Sequence, residues 1–380
     1  MTMVFRNVAV EAIGFELPPE VVSSESIERR LAELYARLKL PTGRLELMSG
    51  IAERRFFPVG ESIGGPSVRS ARRALEGAGI PPEQIGCLIH ASVCRDYLEP
   101  ATASRVHAGL GLSSSCWVYD VSNACLGLLN GLVQIATMIE AGAIKAGIVV
   151  GTESARNLVE ATVAFLNENT ELTRQTVKPH FASLTIGSGS CALLLVHRDL
   201  TRTGNWLRRA VARAECDHHD LCQSDTDQAG SAMQPLMQTD SEELLEAGVA
   251  VGQRTFEALL ANGLTRDDID ATICHQVGSA HRRRMLEALQ LDAQRDVATF
   301  PWLGNTGSVA LPTALAMGVL AGRVRPSDRV ALLGIGSGIN SVMLHAEFNH
   351  PMVFGDLDDN ARQHIERMNS IAPAAQPTAR

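Results

Sequence analysis

The residue with the clearest capacity for chemistry is Cys125, in the segment SNACLGLLNGLVQIATMIEAG (122–142). Ser122 and Asn123 are good helix caps, and the apolar residues that follow repeat at helical spacing. This pattern predicts Cys125 in the first turn of a buried helix. The free N–H groups and the positive dipole end there would stabilise a thiolate and could hold an oxyanion. Because cysteines are also common in packed cores, the residue alone leaves a structural role open.

Two further candidates lie in the second half of the chain. His275 ends the predicted strand DATICH, and Asn305 lies in PWLGNTGSVALPTAL, a glycine-flanked loop that opens another helix of small residues. Taken singly, His275 could be a structural residue with its hydrogen bonds satisfied, and Asn305 could be a simple turn residue. Whether these two residues lie near Cys125 in the fold depends on how the chain is organised.

That organisation is a duplication. ALEGAGIPPEQIGCLIHASV (74–93) resembles ALLANGLTRDDIDATICHQV (258–277) at a constant offset that pairs Gly79 with Gly263, and 140–155 resembles 320–338. Each copy is typical of a helix end, a glycine turn and a strand, which predicts two similar α/β halves. We place them at 1–198 and 199–346, followed by a tail, 347–380, that ends in loose chain and lies outside the chemistry.

The same offset relates the two candidate helix starts. It pairs position 309 with position 125 and position 305 with position 121, so the loop of Asn305 is the counterpart of the loop of Cys125. Two related helix starts that face each other across a pseudo-two-fold axis would bring Cys125, His275 and Asn305 together.

Composition narrows the class of protein. The net charge of −8 over 380 residues gives no basic face for nucleic acid, and no stretch of about 18 uncharged apolar residues predicts a membrane span. The first residues lack the order of a signal peptide, so we expect a cytoplasmic protein. Its eight cysteines, scattered through apolar runs, are then expected as reduced thiols.

Four motifs in a fixed order carry a family resemblance: SNACLG, ICHQVGSAH, GNTGSVALP and LLGIGSGIN. Together they resemble the thiolase-fold condensing enzymes of the ketoacyl synthase III group. The resemblance implies an α/β fold of two pseudo-symmetric, βαβ-rich halves in an α/β/α/β/α arrangement. It also implies that Cys125 accepts the acyl group and that His275 and Asn305 polarise the incoming thioester carbonyl. The backbone N–H groups of Cys125 and Gly338 would form the oxyanion hole.

A fifth segment, SVCRDYLEPATASRVH (92–107), is similar to that of the OleA-type enzymes, which join two long-chain acyl-CoA molecules head to head. In that family the glutamate at the position of Glu99 acts as a base in the active site of the neighbouring subunit, which implies a homodimer. By itself, Glu99-Pro100 is more typical of a solvated loop or a helix start than of a catalytic base. Joining two acyl thioesters requires removal of an α-proton, and a carboxylate can accept it. The expected product is a 2-alkyl-3-keto acid.

Other features leave alternatives open. LELM (45–48) stands where typical ketoacyl synthase III enzymes carry the Trp and Arg that sandwich the CoA adenine, so an acyl-carrier protein is a possible donor instead. HRRR (281–284) could contact a phosphate or a carrier protein, although a run of charges is more often a solvated face. The spacing in CDHHDLC (216–222) is not that of a standard zinc site, so we expect no metal and no cofactor. The alternative functions are decarboxylative 3-oxoacyl synthesis, acyl transfer to another nucleophile, or a non-catalytic acyl-binding partner subunit.

Overall fold

The fold is described by a computed structural model that covers residues 1–224, 236–261 and 263–370. None of the helices in these ranges is both long enough and apolar enough to cross a membrane. The strands of these ranges are β1 Thr2–Val4, β2 Val8–Glu16, β3 Glu20–Ser23, β4 Glu53–Phe56, β5 Ile85–Ala91, β6 Trp117–Val121, β7 Ala146–Glu153, β8 Gly189–His197, β9 Trp206–Ala214, β10 Cys222–Ser224, β11 Met237–Thr239, β12 Ala271–Cys274, β13 Asp328–Gly336, β14 Asn340–Phe348 and β15 Val353–Phe354.

Twelve α-helices accompany these strands in the same ranges. They are α1 Ser24–Arg30, α2 Ala32–Leu38, α3 Arg44–Ser49, α4 Gly64–Ala78, α5 Thr102–Leu110, α6 Gly127–Glu140, α7 Arg156–Glu168, α8 Ser241–Leu260, α9 Ser279–Leu289, α10 Phe300–Leu303, α11 Ala310–Leu320 and α12 Asp359–Ser370.

The main sheet is built from two sets of strands with the same pairing pattern. Its order is β12-β13-β14-β9-β2-β8-β7-β5-β6. On one side β5 pairs parallel with β7, and β7, β8 and β2 then pair antiparallel; on the other side β12, β13, β14 and β9 repeat this pattern. The two sets meet where β2 pairs antiparallel with β9. The predicted division at 198 and 199 falls between β8 and β9 and stays a prediction.

Alternation along the strands creates the layers. In β8, Leu193 and Leu195 pack into a core shared with α6 and α11, whereas Leu194 and Val196 pack into another core with α4 and α5. The strands of the second half divide their side chains likewise between the shared core and a core with α8 and α9. Because successive side chains of a strand point to opposite faces, helices cover both faces of each half. The layered α/β arrangement predicted from the sequence is therefore present.

The parallel strands bring the chemistry to one place. The carboxyl ends of β5 and β13 lie beside the start of α6, and the carboxyl end of β7 lies beside the turn before α11. β12 pairs parallel with β13 and ends at the same edge of the sheet. Ligands of α/β proteins bind at such carboxyl ends, next to helix starts that offer free N–H groups. The predicted catalytic residues follow this pattern: His275 follows β12, Cys125 precedes α6, and Asn305 lies in the loop before α11.

The predicted tail contains regular structure as far as residue 370. β14 continues through Phe348, beyond the predicted end of the second half at 346, and β15 and α12 follow it. β15 pairs parallel with β2, and Ala361 and Ile365 of α12 are buried in the shared core. The segment APAAQPTAR (372–380), predicted as loose chain, lies outside the described residues.

Candidate active site

Cys125 lies in a tight turn between β6 and α6. The helix begins at Gly127 with Leu126 as its N-cap, and no side chain caps it. The prediction that Cys125 belongs to the first helical turn is therefore wrong, as is the prediction that Ser122 or Asn123 caps the helix. Cys125 nevertheless lies just before a helix start, close to its free N–H groups.

The reason for the later helix start is Ala124. Its φ of 44° lies in the left-handed region, which a right-handed helix cannot contain. The turn is closed by the bond from Leu126 N–H to Asn123 O, at 2.9 Å. A left-handed alanine costs about 1 kcal/mol or more, and surrounding structure must hold it in place. The nucleophile candidate thus lies on a strained strand-to-helix turn, as catalytic nucleophiles do in other folds.

Residues of the second half enclose this turn. A β-carbon on Gly336, at the end of β13, would lie 3.6 Å from the backbone nitrogen of Cys125, and Asn340 Nδ2 lies 3.4 Å from Asn123 Oδ1. Gly338 lies between these two contacts, in the turn from β13 to β14, with a φ of 127° that favours glycine. The turn predicted to share the oxyanion hole therefore adjoins the loop of Cys125.

Glu153 joins the two helix starts, and the sequence did not reveal it. This buried carboxylate at the end of β7 accepts hydrogen bonds from Val93 N (3.2 Å), Ser308 N (3.3 Å) and Ser308 Oγ (2.5 Å). A β-carbon on Gly127 would lie 3.6 Å from Ser308 Cβ. The start of α6 and the turn before α11 are thus in contact, as the duplication predicted. The place of Glu153 at a strand end in VVGTE was the only signal.

The Cys125 thiol is protonated in this environment. Desolvation raises its pKa to about 12, and the nearby Glu153 carboxylate and Cys222 thiol contribute to this rise. The sequence had suggested that the helix start would stabilise a thiolate, but desolvation and a buried carboxylate oppose this. A base must therefore remove the proton when the sulfur attacks. All eight cysteines are unpaired, as expected for reduced thiols.

His275 is the candidate that the sequence offers for handling that proton. It directly follows β12, and desolvation, with a smaller contribution from His281, lowers its pKa to about 3. The imidazole is therefore neutral near pH 7 and can accept one proton or donate one hydrogen bond. Its buried Nδ1 has no hydrogen-bond partner in the described part of the chain. A neutral ring with an unused nitrogen fits polarisation of a carbonyl. A pKa of about 3 makes the ring a weak base, so it would only pass the thiol proton on to the leaving CoA sulfur.

Asn305 is held by its backbone and by its side-chain oxygen. Its N–H donates to Thr185 O (3.0 Å), its carbonyl accepts from Gly187 N–H (2.9 Å), and its Oδ1 accepts from Gly307 N–H (3.0 Å). Among the described residues, no hydrogen bond uses its Nδ2 group. The amide N–H donors are therefore oriented by the protein and free for a substrate oxygen.

Gln276 connects the histidine to the asparagine. The buried amide donates from Nε2 to Cys274 O (2.6 Å) and Val297 O (3.1 Å), and its Oε1 accepts from Thr299 N–H (2.8 Å) and Phe300 N–H (3.2 Å). It thereby ties the end of β12, next to His275, to the start of α10, which leads to the loop of Asn305. Polar residues that follow strands are common, so the sequence did not single it out.

Glu99 is not part of this cluster within one chain. It lies in the exposed segment between β5 and α5, next to Tyr97 and Leu98, which are 62% and 54% exposed. No hydrogen bond or ion pair connects Glu99 to Cys125 or His275 among the residues that the structure covers. The segment itself is fixed by Asp96, which accepts from the backbone of α4 and its N-cap. The structure thus leaves the Glu99 carboxylate free at the surface.

Two other sequence features receive a structural explanation. In HRRR (281–284), Arg282 pairs with the buried Asp296 (2.6 Å) and Arg284 pairs with Glu246 (3.0 Å), so both guanidinium groups serve the fold. In CDHHDLC (216–222), Cys216 is exposed and Cys222 begins β10. The described ranges contain no cluster of three His, Cys, Asp or Glu side chains placed to hold a metal.

A cysteine on a turn between two mirrored α/β halves, with a neutral histidine and an oriented amide, defines a thiolase-fold condensing enzyme. The family models agree with this class. The model for the thiolase N-terminal domain matches residues 67–185, and the model for the 3-oxoacyl-[acyl-carrier-protein] synthase III C terminal matches residues 259–346.

Individual relatives narrow the class. An acyl-CoA:acyl-CoA alkyltransferase of Shewanella oneidensis is 40% identical over 348 residues, covering 90% of this chain and 99% of that protein. One of Xanthomonas campestris is 33% identical, covering 90% and 98%. A crystal structure of a variant of Xanthomonas campestris OleA superposes with a TM-score of 0.86 at 32% identity, covering 91% of this chain and 98% of that chain. The chain belongs to the acyl-CoA:acyl-CoA alkyltransferase family, the OleA type predicted from its motifs.

Proposed function

We propose that this protein condenses two fatty acyl-CoA molecules by a non-decarboxylative Claisen reaction. The single observation that carries the proposal is the contact of the Cys125 turn with the second half, through Gly336 and Ser308, in a chain that belongs to this family. A 32% identical structure of Xanthomonas campestris OleA is described with bound lauric acid and lauroyl-CoA, which supports a long-chain acyl substrate here.

The first half-reaction forms an acyl-enzyme. The Cys125 sulfur attacks the thioester carbonyl of the first acyl-CoA, its proton passes to neutral His275, and CoA leaves as the thiol after taking up that proton. The carbonyl oxygen becomes an oxyanion, which the backbone N–H groups of Cys125 and Gly338 stabilise. Because the pKa of the thiol is about 12, this step depends on proton removal during the attack.

The second half-reaction forms the carbon–carbon bond. Asn305 Nδ2 and the N–H of the neutral His275 ring donate to the thioester oxygen of the second acyl-CoA, which acidifies its α-carbon. A base removes the α-proton, the enolate carbon attacks the acyl group on Cys125, and the sulfur leaves and takes up that proton, which regenerates the base. The condensed 2-alkyl-3-ketoacyl-CoA is then hydrolysed by water to the 2-alkyl-3-keto acid and CoA. This sequence consumes no metal or organic cofactor.

We infer that the α-proton passes to Glu99 of a second copy of this chain in a homodimer. Its exposed carboxylate and apolar neighbours support this placement, as does β6, which pairs with β5 alone among the described strands. Structures of Xanthomonas campestris OleA include variants of a cysteine and of a glutamate that precedes it. The spacing of those two positions equals the spacing of Glu99 and Cys125 in this chain.

The donor and the location complete the proposal. CoA is the donor that we propose for both acyl groups, with an acyl-carrier protein as the alternative that the test below must include. Eight unpaired cysteines agree with a reducing compartment, and we propose a cytoplasmic location.

The experiment compares donors. The protein is incubated with lauroyl-CoA alone, with a lauroyl-carrier protein alone, and with lauroyl-CoA plus malonyl-carrier protein, and the products are identified by mass spectrometry. We expect the 2-alkyl-3-keto acid from lauroyl-CoA alone. A product that requires the malonyl donor would indicate decarboxylative synthesis, and acylation of Cys125 without any condensed product would indicate acyl transfer or a non-catalytic partner subunit.

A further inference from the structure

We infer that the C-terminal helix α12 positions Asn305 for the condensation step, through the stacking of His364 on Trp302. This inference rests on the proposed role of Asn305 and adds to it a positioning residue, His364, from a part of the chain that both family models leave out. The models end at residues 185 and 346, whereas α12 begins at Asp359.

The contact itself is direct. The rings of His364 and Trp302 stack with a centroid separation of 4.9 Å and an interplanar angle of 8°. Trp302 is 2% exposed, and its indole N–H has no hydrogen-bond partner in the described ranges. No polar contact therefore fixes this side chain, and its position depends on packing against its neighbours. His364 covers one face of the indole ring, and Trp302 shortly precedes Asn305 in the chain.

His364 is itself held in place. Its Nε2 lies 2.9 Å from Glu53 Oε1, which also accepts from Asn360 Nδ2 at 3.0 Å. Both partners of Glu53 lie on the first half of α12. Strand β4, which begins with Glu53, thereby fixes the angle at which the imidazole meets the indole.

The start of α12 is anchored by a buried charge. Arg55 donates to both oxygens of Asp358 (2.6 and 2.9 Å) and to Asn360 Oδ1 (2.6 Å), and its side chain is 1% exposed. This pairing lowers the pKa of Asp358. Because a buried guanidinium without a partner is destabilising, these bonds attach the helix start to β4.

The other side of β4 contacts the segment that carries Asn305. Arg55 O accepts from Ser188 N–H (2.8 Å), and Ala52 N–H donates to Pro301 O (2.9 Å). A β-carbon on Gly304 would lie 2.9 Å from Arg54 Cβ, so the residue before Asn305 packs directly on this strand. β4 therefore lies between α12 and the two segments, 185–188 and 300–304, that adjoin the backbone of Asn305.

Two routes thus lead from α12 to Asn305: one through the stacked rings and α10, and one through β4 and the segment 185–188. No comparable contact joins α12 to the turn of Cys125 within the described residues. Loss of the His364 ring should therefore disturb the orientation of Asn305 and leave Cys125 unaffected. Since misplacing an oriented donor lowers the rate of the step it assists, the effect should be confined to condensation.

The test measures the two half-reactions separately in the full-length protein. Acylation of Cys125 by lauroyl-CoA is followed by protein mass spectrometry, and formation of the keto acid is followed in the same samples. The variants are His364→Ala, which removes both contacts, and His364→Phe, which keeps the stacked ring and loses the bond to Glu53. The matched control is Arg362→Ala on the same helix, since the Arg362 side chain is 62% exposed and forms its ion pair with the exposed Asp359.

We expect His364→Ala to acylate at the normal rate and to condense about 10-fold more slowly, whereas Arg362→Ala is unchanged and His364→Phe recovers most of the loss. Asn305→Ala is measured alongside. If Asn305→Ala condenses normally, the proposed role of Asn305 fails. If Asn305→Ala is impaired but His364→Ala condenses normally, only the positioning role of α12 fails. Equal loss of both half-reactions in His364→Ala and His364→Phe, with a lower melting temperature, would mean a purely structural role and would also overturn the inference.

Discussion

The turn before α6 and the loop before α11 occupy equivalent places in the two halves, yet the protein holds them in different ways. The turn of Cys125 contains a left-handed alanine, Ala124, and is closed by the backbone bond from Leu126 N–H to Asn123 O. Neither helix start has a side-chain cap. The loop of Asn305 is held by hydrogen bonds with Thr185, Gly187 and Gly307. The first arrangement leaves a sulfur with an unfavourable ionisation, and the second leaves an amide with its donors free.

This difference indicates how a duplicated fold divides one reaction. A nucleophilic sulfur needs a fixed position and a partner that takes its proton. Few hydrogen bonds to the cysteine side chain are therefore required. A carbonyl-polarising group needs its donors aimed in advance, which requires several bonds to its other atoms. Changes in the turn of Cys125 should therefore affect acylation first, and changes in the loop of Asn305 should affect the use of the second substrate.

The largest expected effect is at the nucleophile. Cys125→Ala should abolish acylation and lower the overall rate by at least about 10⁴-fold, because the covalent path is removed. Cys94→Ala is the matched control, since Cys94 is also partly buried near Glu153 and hydrogen-bonds to the backbone of Ser154. Mass spectrometry after incubation with lauroyl-CoA measures both. Persistent labelling of Cys125→Ala would place the nucleophile elsewhere.

The next largest effect should be at Glu99, which belongs to neither helix start. Glu99→Gln keeps the shape of the side chain but cannot accept a proton, so acyl-enzyme should accumulate while condensation falls on the order of 10³-fold. Glu83→Gln, at another exposed surface site, should behave as the unchanged protein.

Mixing the two variants tests the placement of Glu99 in the partner subunit. Heterodimers of Cys125→Ala and Glu99→Gln chains would contain one site with both changes and one intact site, so part of the activity should return. Each variant alone is the control. If mixing restores nothing, Glu99 acts within its own chain, and if Glu99→Gln condenses fully, the base lies elsewhere.

A smaller effect distinguishes the proton acceptor for Cys125. The pKa of His275 is lowered to about 3, so the ring is neutral well above pH 3. The pKa of the Cys125 thiol is about 12, so the thiol is protonated well below pH 12. The acylation rate should therefore be nearly constant between about pH 6 and 9.

His275→Ala should acylate on the order of 10²-fold more slowly at pH 7, because attack then depends on the small fraction of thiolate. That fraction grows about tenfold per pH unit, so the acylation rate of the variant should rise with the same slope. Single-turnover acylation across this range measures both profiles. A wild-type profile that rises with pH, parallel to that of the variant, would exclude His275 as the proton acceptor.

The smallest effect concerns the turn itself. Glycine tolerates the left-handed conformation of Ala124, so Ala124→Gly should change the free energy of unfolding by less than about 1 kcal/mol. A β-branched side chain does not tolerate this conformation. Ala124→Val should therefore lower the free energy of unfolding by about 1–2 kcal/mol and slow acylation. Chemical denaturation measures both. Equal stability of the two variants would mean that the conformation of Ala124 does not constrain the turn.

The sequence predicted the mirrored halves because each copy has the same pattern of helix end, glycine turn and strand, and this pattern depends on local preferences. It also identified Cys125, His275 and Asn305 as the residues at equivalent ends of those elements. It misplaced the start of α6, because Ser122 and Asn123 have the composition of helix caps whereas the left-handed Ala124 delays the helix.

What the sequence did not reveal depends on contacts between distant segments. Glu153 and Gln276 gain their importance from Ser308 and Phe300, which lie on other segments, and no local pattern records such a pairing. For the same reason the polar tail predicted to lie outside the chemistry contains α12, whose contact with Trp302 joins two segments that are far apart in the chain. The charge state of Cys125 likewise depends on burial, which spacing alone does not give.

The central claim, that an acyl group on Cys125 is joined to the α-carbon of a second acyl-CoA, is tested most directly by a chase with two chain lengths. The protein is loaded with less than one equivalent of lauroyl-CoA, freed of CoA by gel filtration, and mixed with decanoyl-CoA. We predict a mixed keto acid in which the lauroyl carbons form the keto side and decanoyl supplies the 2-alkyl branch, while the lauroyl label on Cys125 disappears. A product built from decanoyl chains alone, with lauroyl retained on Cys125, would contradict the account.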